Sequence, residues 1–194
     1  KFEHHAVLNS IKFLEKHGFD VTYLNVGEQG IVKPEDVKRT LRSNTILVSI
    51  MYANNEIGTI QPIIEIGKIL KNHSAVFHTD ACQAAGYLDL NVNKLGVDLM
   101  TVNGSKIYGP KGAGFLYIRK GTKIHSLFYG GEQENKLRPG TENVPGIVGL
   151  AMALEISQKE KNKEAKRIKP LRNSLIKRLT KEIPVAKKKL IEGE

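Results

Sequence analysis

Apolar residues recur at helical spacing over residues 4–16, where Val7, Ile11 and Leu14 share one face, and the pattern predicts an amphipathic helix. Gly18 is placed to end it. The pattern then switches to alternation through FDVTYLNV, the period of a strand. A second helix is predicted from Lys33-Pro34 to Leu41, with Pro34 near the first turn, where its missing N–H costs little. TILVSIMYA is a β-branched apolar run, the mark of a strand buried on both faces. NNEIGTIQP reads as a loop, residues 63–71 as a helix, and SAVFHTDA, VDLMTV and GFLYIRK as further strands. Strand and helix in alternation predict an α/β fold, a mostly parallel sheet flanked by helices.

The pattern loosens over residues 125–143, which are polar and glycine-rich; a loop that long inside a compact chain is usually functional or disordered. One long helix is predicted from Val144 to about Glu182, with a break near Pro170, and Pro184 ends the helical pattern before KKKLIEGE. The expected division is a large domain over residues 1–155, incomplete at its start, and a helix over 156–194 that begins a second, smaller and truncated domain.

Composition narrows the function. The net charge is +10, yet residues 155–194 hold 13 Lys or Arg against 6 Asp or Glu, so most of the excess lies in the tail. The tail has no aromatic residue to interleave with its lysines, which reads as a solvated helix face and not a nucleic-acid surface. No apolar run of about 18 residues is present to span a membrane as a helix. Cys82 is the only cysteine, which excludes an internal disulfide framework and a cysteine-based zinc cluster and fits a reducing cytoplasm.

Candidate chemistry gathers at strand ends. In open parallel sheets ligands bind at the carboxyl ends of the strands. Asn54 and Asn55 follow one predicted strand, Asp80 ends another, and Asn103, Ser105 and Lys106 follow a third. Each alone would pass for a loop or cap residue; the joint pattern points to a site. The turn NGSKIYGPKGAG holds Lys106 at the end of a predicted buried strand, a costly place for an amine without a partner or a task. It is not a P-loop: Gly104 and Gly109 match the two glycines, but Pro110 stands where the phosphate-binding lysine belongs and no Ser or Thr follows. No GxGxxG opens a helix either. The remaining role for Lys106 is covalent, as the amine of a Schiff base. A pyridoxal cofactor needs such a lysine, an acid at the pyridinium nitrogen and donors for a phosphate. Asp80 suits the acid. Gln83 can lie beside it if the chain makes a helical turn through ACQAAG, and could then donate to the ring hydroxyl.

EHHAVL, TILVSIMYANNEIG, HTDACQAAG, NGSKIYGPKGAG and RPGTENV, in this order, resemble the pyridoxal-phosphate domain of the cysteine desulfurases, class V aminotransferase relatives of fold type I. The likeness runs from about residue 3 to 150 and weakly to 180. It implies pyridoxal 5'-phosphate as cofactor and Lys106 as the Schiff-base lysine. By the same resemblance Asp80 pairs with the pyridinium, Gln83 lies near the ring oxygen and Asn55 near the ring. His4 would stack on the ring and shuttle protons, with His5 as the adjacent competitor. Asn103, Gly104 and Ser105 would sit by the phosphate. Thr141 would reach the phosphate of a partner subunit, which implies a homodimer. The family turn is usually Ser-Gly-His-Lys; here it is Asn103-Gly104-Ser105-Lys106, so the contact of the usual histidine is in question. The persulfide-forming loop cysteine and the arginine that holds the substrate carboxylate lie downstream in that family and are not found in this chain. The glycine-threonine phosphate contact upstream of EHHAVL is not found either. Cys82 is not promoted to replace the loop cysteine, since a free cysteine between Asp80 and Gln83 packs as a small hydrophobe.

The activity so implied takes L-cysteine to L-alanine and passes sulfur to a loop cysteine, then to an acceptor protein serving iron–sulfur clusters or tRNA thiolation. The rivals are a selenocysteine lyase or other class V enzyme, and a non-catalytic binding protein on the same scaffold.

Overall fold

The computed structural model describes residues 2–183. Four strands, β1 (Leu47–Ser49), β2 (Val76–Asp80), β3 (Leu99–Asn103) and β4 (Gly114–Ile118), form one sheet in that order. β1, β2 and β3 are parallel, while β4 returns antiparallel along β3. A tight turn is enough to reverse the chain, whereas a parallel neighbour needs a long crossover; residues 104–113 are such a turn. The expected mostly parallel α/β sheet is therefore present.

The helices are α1 (His5–Lys16), α2 (Pro34–Thr40), α3 (Ile63–Leu70), α4 (Val92–Leu95) and α5 (Val144–Glu182). Pro34 sits in the first turn of α2, followed by Glu35 and Asp36, whose charges suit a helix start. α3 turns Ile63, Ile66 and Leu70 into the core and packs on α2, α4 and β2. Phe77, Met100, Val102 and Ile50 meet them from the sheet. Side chains alternate along a strand, so Ser49, His78, Asp80 and Thr101 lie on the opposite face.

Three expectations differ from the fold. Residues 19–26 form no strand; they satisfy their alternation by laying Leu24 and Val26 on the core. With α1 and β1 they wall an apolar cavity of about 520 Å³, into which the Val7, Ile11 and Leu14 stripe faces. The run 45–53 is not buried throughout, since Leu47 is 40% exposed on the outermost strand. Beyond β1 it still pairs with β2, Ile50 N–H donating to His78 O at 3.1 Å and Tyr52 N–H to Asp80 O at 2.8 Å. Finally, α5 runs through Pro170 without a break. Proline removes one helical bond, to the carbonyl four residues before; here that is Lys166, an exposed residue whose carbonyl water can serve.

The N-terminal half of α5 packs through Gly146, Leu150, Ala153 and Leu154, whereas Leu171, Leu175 and Leu179 beyond Pro170 are exposed. The expected boundary at residue 155 falls inside this helix. Pro184 and KKKLIEGE lie outside the described residues.

Candidate functional site

Asp80 is the last residue of β2 and pairs in register with Thr101 of β3. Two residues on, β3 ends at Asn103 and the chain enters a 3-10 turn, Gly104–Lys106. The side chain of Asn103 caps that turn, its Oδ1 accepting from Ser105 N–H and from Ser105 Oγ, both at 2.9 Å. Gly104 is required there: a Cβ would stand 3.0 Å from both Ala113 O and Leu150 Cδ1. The turn thus follows the strand that neighbours Asp80, and the charges of Asp80 and Lys106 are both felt at Cys82. Cys82 N–H donates to Asp80 Oδ1 at 2.9 Å. Burial first, then Asp80, push the Cys82 thiol up to about 12, while the Lys106 ammonium pulls the other way. A thiol so raised is protonated and a poor nucleophile, in keeping with a packing role.

Lys106 itself is exposed, which corrects the expectation of a buried amine. The turn swings it out past the strand end, beside a cavity of about 280 Å³ that Ile107, Tyr87 and Tyr108 also line. The larger cavity, under α1, touches neither Asp80 nor Lys106.

After Asp80 the chain makes the expected helical turn, with Ala84 and Ala85 N–H both donating to Ala81 O and Leu88 N–H to Ala84 O. Gln83 is half-buried within it. α5 braces both turns. Gln158 Nε2 donates to Ala85 O at 2.7 Å and Leu88 O at 2.9 Å, and Leu150 covers Gly104.

The start of the chain reaches the same strand ends. Met51 N–H donates to Glu3 Oε1 at 2.6 Å, and Asn54 Nδ2 to Phe2 O at 3.0 Å. Asn54 Oδ1 also accepts from Glu56 and Ile57 N–H, so Asn54 is buried and fully engaged while Asn55 is exposed. His4 is the N-cap of α1, its Nδ1 accepting from Ala6 N–H at 3.2 Å. That bond requires an unprotonated Nδ1, which leaves the proton on Nε2. His5 is the first residue of α1, its ring edge-on to His4 with centroids 6.2 Å apart. Thr141 lies on an exposed loop shortly before Asn143, the α5 N-cap; among the described residues no hydrogen bond joins it to Asp80 or Lys106.

Two further groups were not singled out by sequence. Glu3 is half-buried, near enough to Asp80 to feel its charge. Burial chiefly, opposed by the Met51 bond and assisted by Asp80, raises its carboxyl to about 7, and its Oε2 is buried without a partner. His78 bridges three strands: Ser49 Oγ lies 2.8 Å from its Nδ1, and Thr101 Oγ1 lies 2.9 Å from its Nε2. Burial lowers its proton affinity, against the pull of Asp80. The i, i+2 spacing of His78 and Asp80 in HTD was the available signal, since it places both on one face of a strand.

Residues 1–188 match the model of the family "Aminotransferase class-V". The chain is 55% identical over 183 residues to "Cysteine desulfurase IscS" of Dictyoglomus turgidum, covering 94% of this chain and 46% of that protein. It is 53% identical over 179 residues to "Cysteine desulfurase IscS" of Methanosarcina thermophila, covering 92% and 44%. Among solved structures, a "NIFS-like protein" superposes with a TM-score of 0.90 at 45% identity, over 93% of this chain and 50% of that one. Another, "SspA in complex with cysteine", gives 0.77 at 45% identity, over 79% and 45%. The chain therefore spans about half the length of the curated relatives it matches.

Proposed function

The chain belongs to the class-V aminotransferase family, and from that premise we propose that it is the cofactor-holding part of a pyridoxal-phosphate-dependent cysteine desulfurase. The observation that carries the reading is the placement of Asp80 at the end of β2 and of Lys106 in the turn that directly follows the neighbouring β3, with both charges felt at the Cys82 thiol. The donor set fits the cofactor: a carboxylate at a strand end, a solvent-reachable amine, and amide and hydroxyl groups at a tight turn. When bound, pyridoxal phosphate supplies an electron-withdrawing ring in covalent reach of an amine.

Lys106 is the residue that carries it, and Asp80 holds the proton of the ring nitrogen. Gln83 serves the ring oxygen and Asn55 the ring edge. His4 covers the ring and presents the Nε2 proton that its capping bond leaves it. Asn103, Gly104 and Ser105 face the phosphate; Ser105 must turn its hydroxyl away from Asn103 Oδ1 to donate there. Thr141 serves the phosphate site of a second subunit, which makes the enzyme a homodimer. The large domain ends near residue 155 and α5 leads into a smaller one. The substrate is L-cysteine and the products are L-alanine and a sulfur passed to an acceptor protein for iron–sulfur clusters or tRNA thiolation, in the cytoplasm. Among the described residues no helix is long and apolar enough to cross a membrane.

The test is Lys106→Ala in the full-length protein. The visible absorption of the cofactor–lysine Schiff base is expected to disappear, together with alanine release from cysteine. An unchanged band would place the covalent link elsewhere and overturn the reading.

A further inference from the structure

His78 has no part in that reading, yet both of its ring nitrogens are engaged on the face that carries Asp80. A neutral imidazole has one N–H and one lone pair, so one of the two hydroxyls donates to it and the other accepts from it. Two directions are possible. In one, Ser49 donates to Nδ1, Nε2–H donates to Thr101 Oγ1, and the hydroxyl proton of Thr101 is left for another acceptor. In the other, Thr101 spends its proton on Nε2 and Ser49 keeps a free one. Thr101 is the register partner of Asp80, on the same face. A free hydroxyl proton beside a carboxylate strengthens every bond in the chain behind it; a spent one offers the carboxylate only lone pairs. Asp80 is the charged group that acts on His78 among the described residues, while Ser49 and Thr101, which hold it from the flanking strands, do not ionise in the working range.

We propose that His78 is a positioning residue for the cofactor site: held as the neutral Nε2–H tautomer between Ser49 and Thr101, it turns the Thr101 hydroxyl toward the carboxylate of Asp80. It acts on the ring-nitrogen partner without touching the cofactor, and it ties the three parallel strands to one another. The inference rests on the functional reading above.

The direct measurement is nitrogen-15 NMR of the His78 imidazole in the full-length protein. A protonated Nε2 and bare Nδ1 are expected; the opposite tautomer, or a doubly protonated ring at neutral pH, overturns the inference. The second measurement is the pH midpoint of the Schiff-base absorption band. Thr101→Val is expected to shift it by about half a unit or more, roughly a threefold change in the proton equilibrium. The double variant His78→Leu with Thr101→Val is expected to shift it no further, as residues in one chain are non-additive. His78→Gln, which offers both a donor and an acceptor, is expected to stay closer to the wild type than His78→Leu. A midpoint unmoved in every variant, with only the melting temperature lowered, makes His78 a purely structural clip and overturns the proposal. Wild-type protein that takes up no cofactor overturns the functional reading instead, and this inference with it.

Discussion

Phe77 and His78 are adjacent in sequence and lie on opposite faces of β2, the first 1% exposed and the second partly open. The Phe77 face is apolar apart from Thr79, whose hydroxyl is spent on Ile50 O at 2.7 Å. Its stability comes from area removed from water, which is tolerant of shape and intolerant of missing volume. The His78 face is built the other way. Ser49, His78, Asp80 and Thr101 are held by individual hydrogen bonds with definite directions, and Leu116 at its margin remains 45% exposed. One face holds the strands together by volume, the other sets the position of particular protons.

The sharpest way to break this comparison is to remove volume from the sealed face. Phe77→Ala is expected to cost about 3–5 kcal/mol in urea unfolding, whereas Leu116→Ala on the open face should cost less than about 1 kcal/mol. Equal losses would mean that the two faces are packed alike. A somewhat smaller effect should come from Glu3. Its carboxyl is raised to about 7 from the ordinary 4.5, so the folded state holds a proton that the unfolded chain releases. The resulting stability is complete below about pH 4.5 and is lost as pH rises to about 7, by roughly 3 kcal/mol across the window. The stability difference between Glu3→Gln and wild type should therefore grow in favour of the variant over that range; a flat difference would show Glu3 ionised in the fold. The smallest effect is expected at Cys82. Cys82→Ala should cost less than about 1.5 kcal/mol and leave the cofactor band in place. Loss of the band would make the thiol part of the chemistry.

Much of this was legible in the sequence, for local reasons. α1, α2 and α3 appear within a residue of where periodicity, Pro34 and the apolar spacing put them, and α5 starts at Val144 as expected, with Asn143 accepting from Gly146 N–H at 3.2 Å. The misses need information that neighbouring residues do not carry. Residues 19–26 alternate like a strand, but alternation serves equally a segment that lays one row of side chains, Leu24 and Val26, on the core. Pro170 looks like a break, but it lies in an exposed stretch of α5 where the helix continues through it. A lysine that follows a buried strand reads as an inside residue, and only the tight 3-10 turn puts Lys106 outside. His78 and Glu3 belong to quoted motifs, yet their partners lie 23 positions or more away, at Ser49, Thr101 and Met51. Register across strands, not sequence, brings them together.

Gln158 gives α5 a mechanical character. The helix grips the loop behind Asp80 through two carbonyls and presses Leu150 onto Gly104, then projects about 27 Å past Glu164 at 1.5 Å per residue. A stiff rod clamped at one end is a lever, so a load on Leu171 or Leu175 is felt as torque at the two turns that present Asp80 and Lys106.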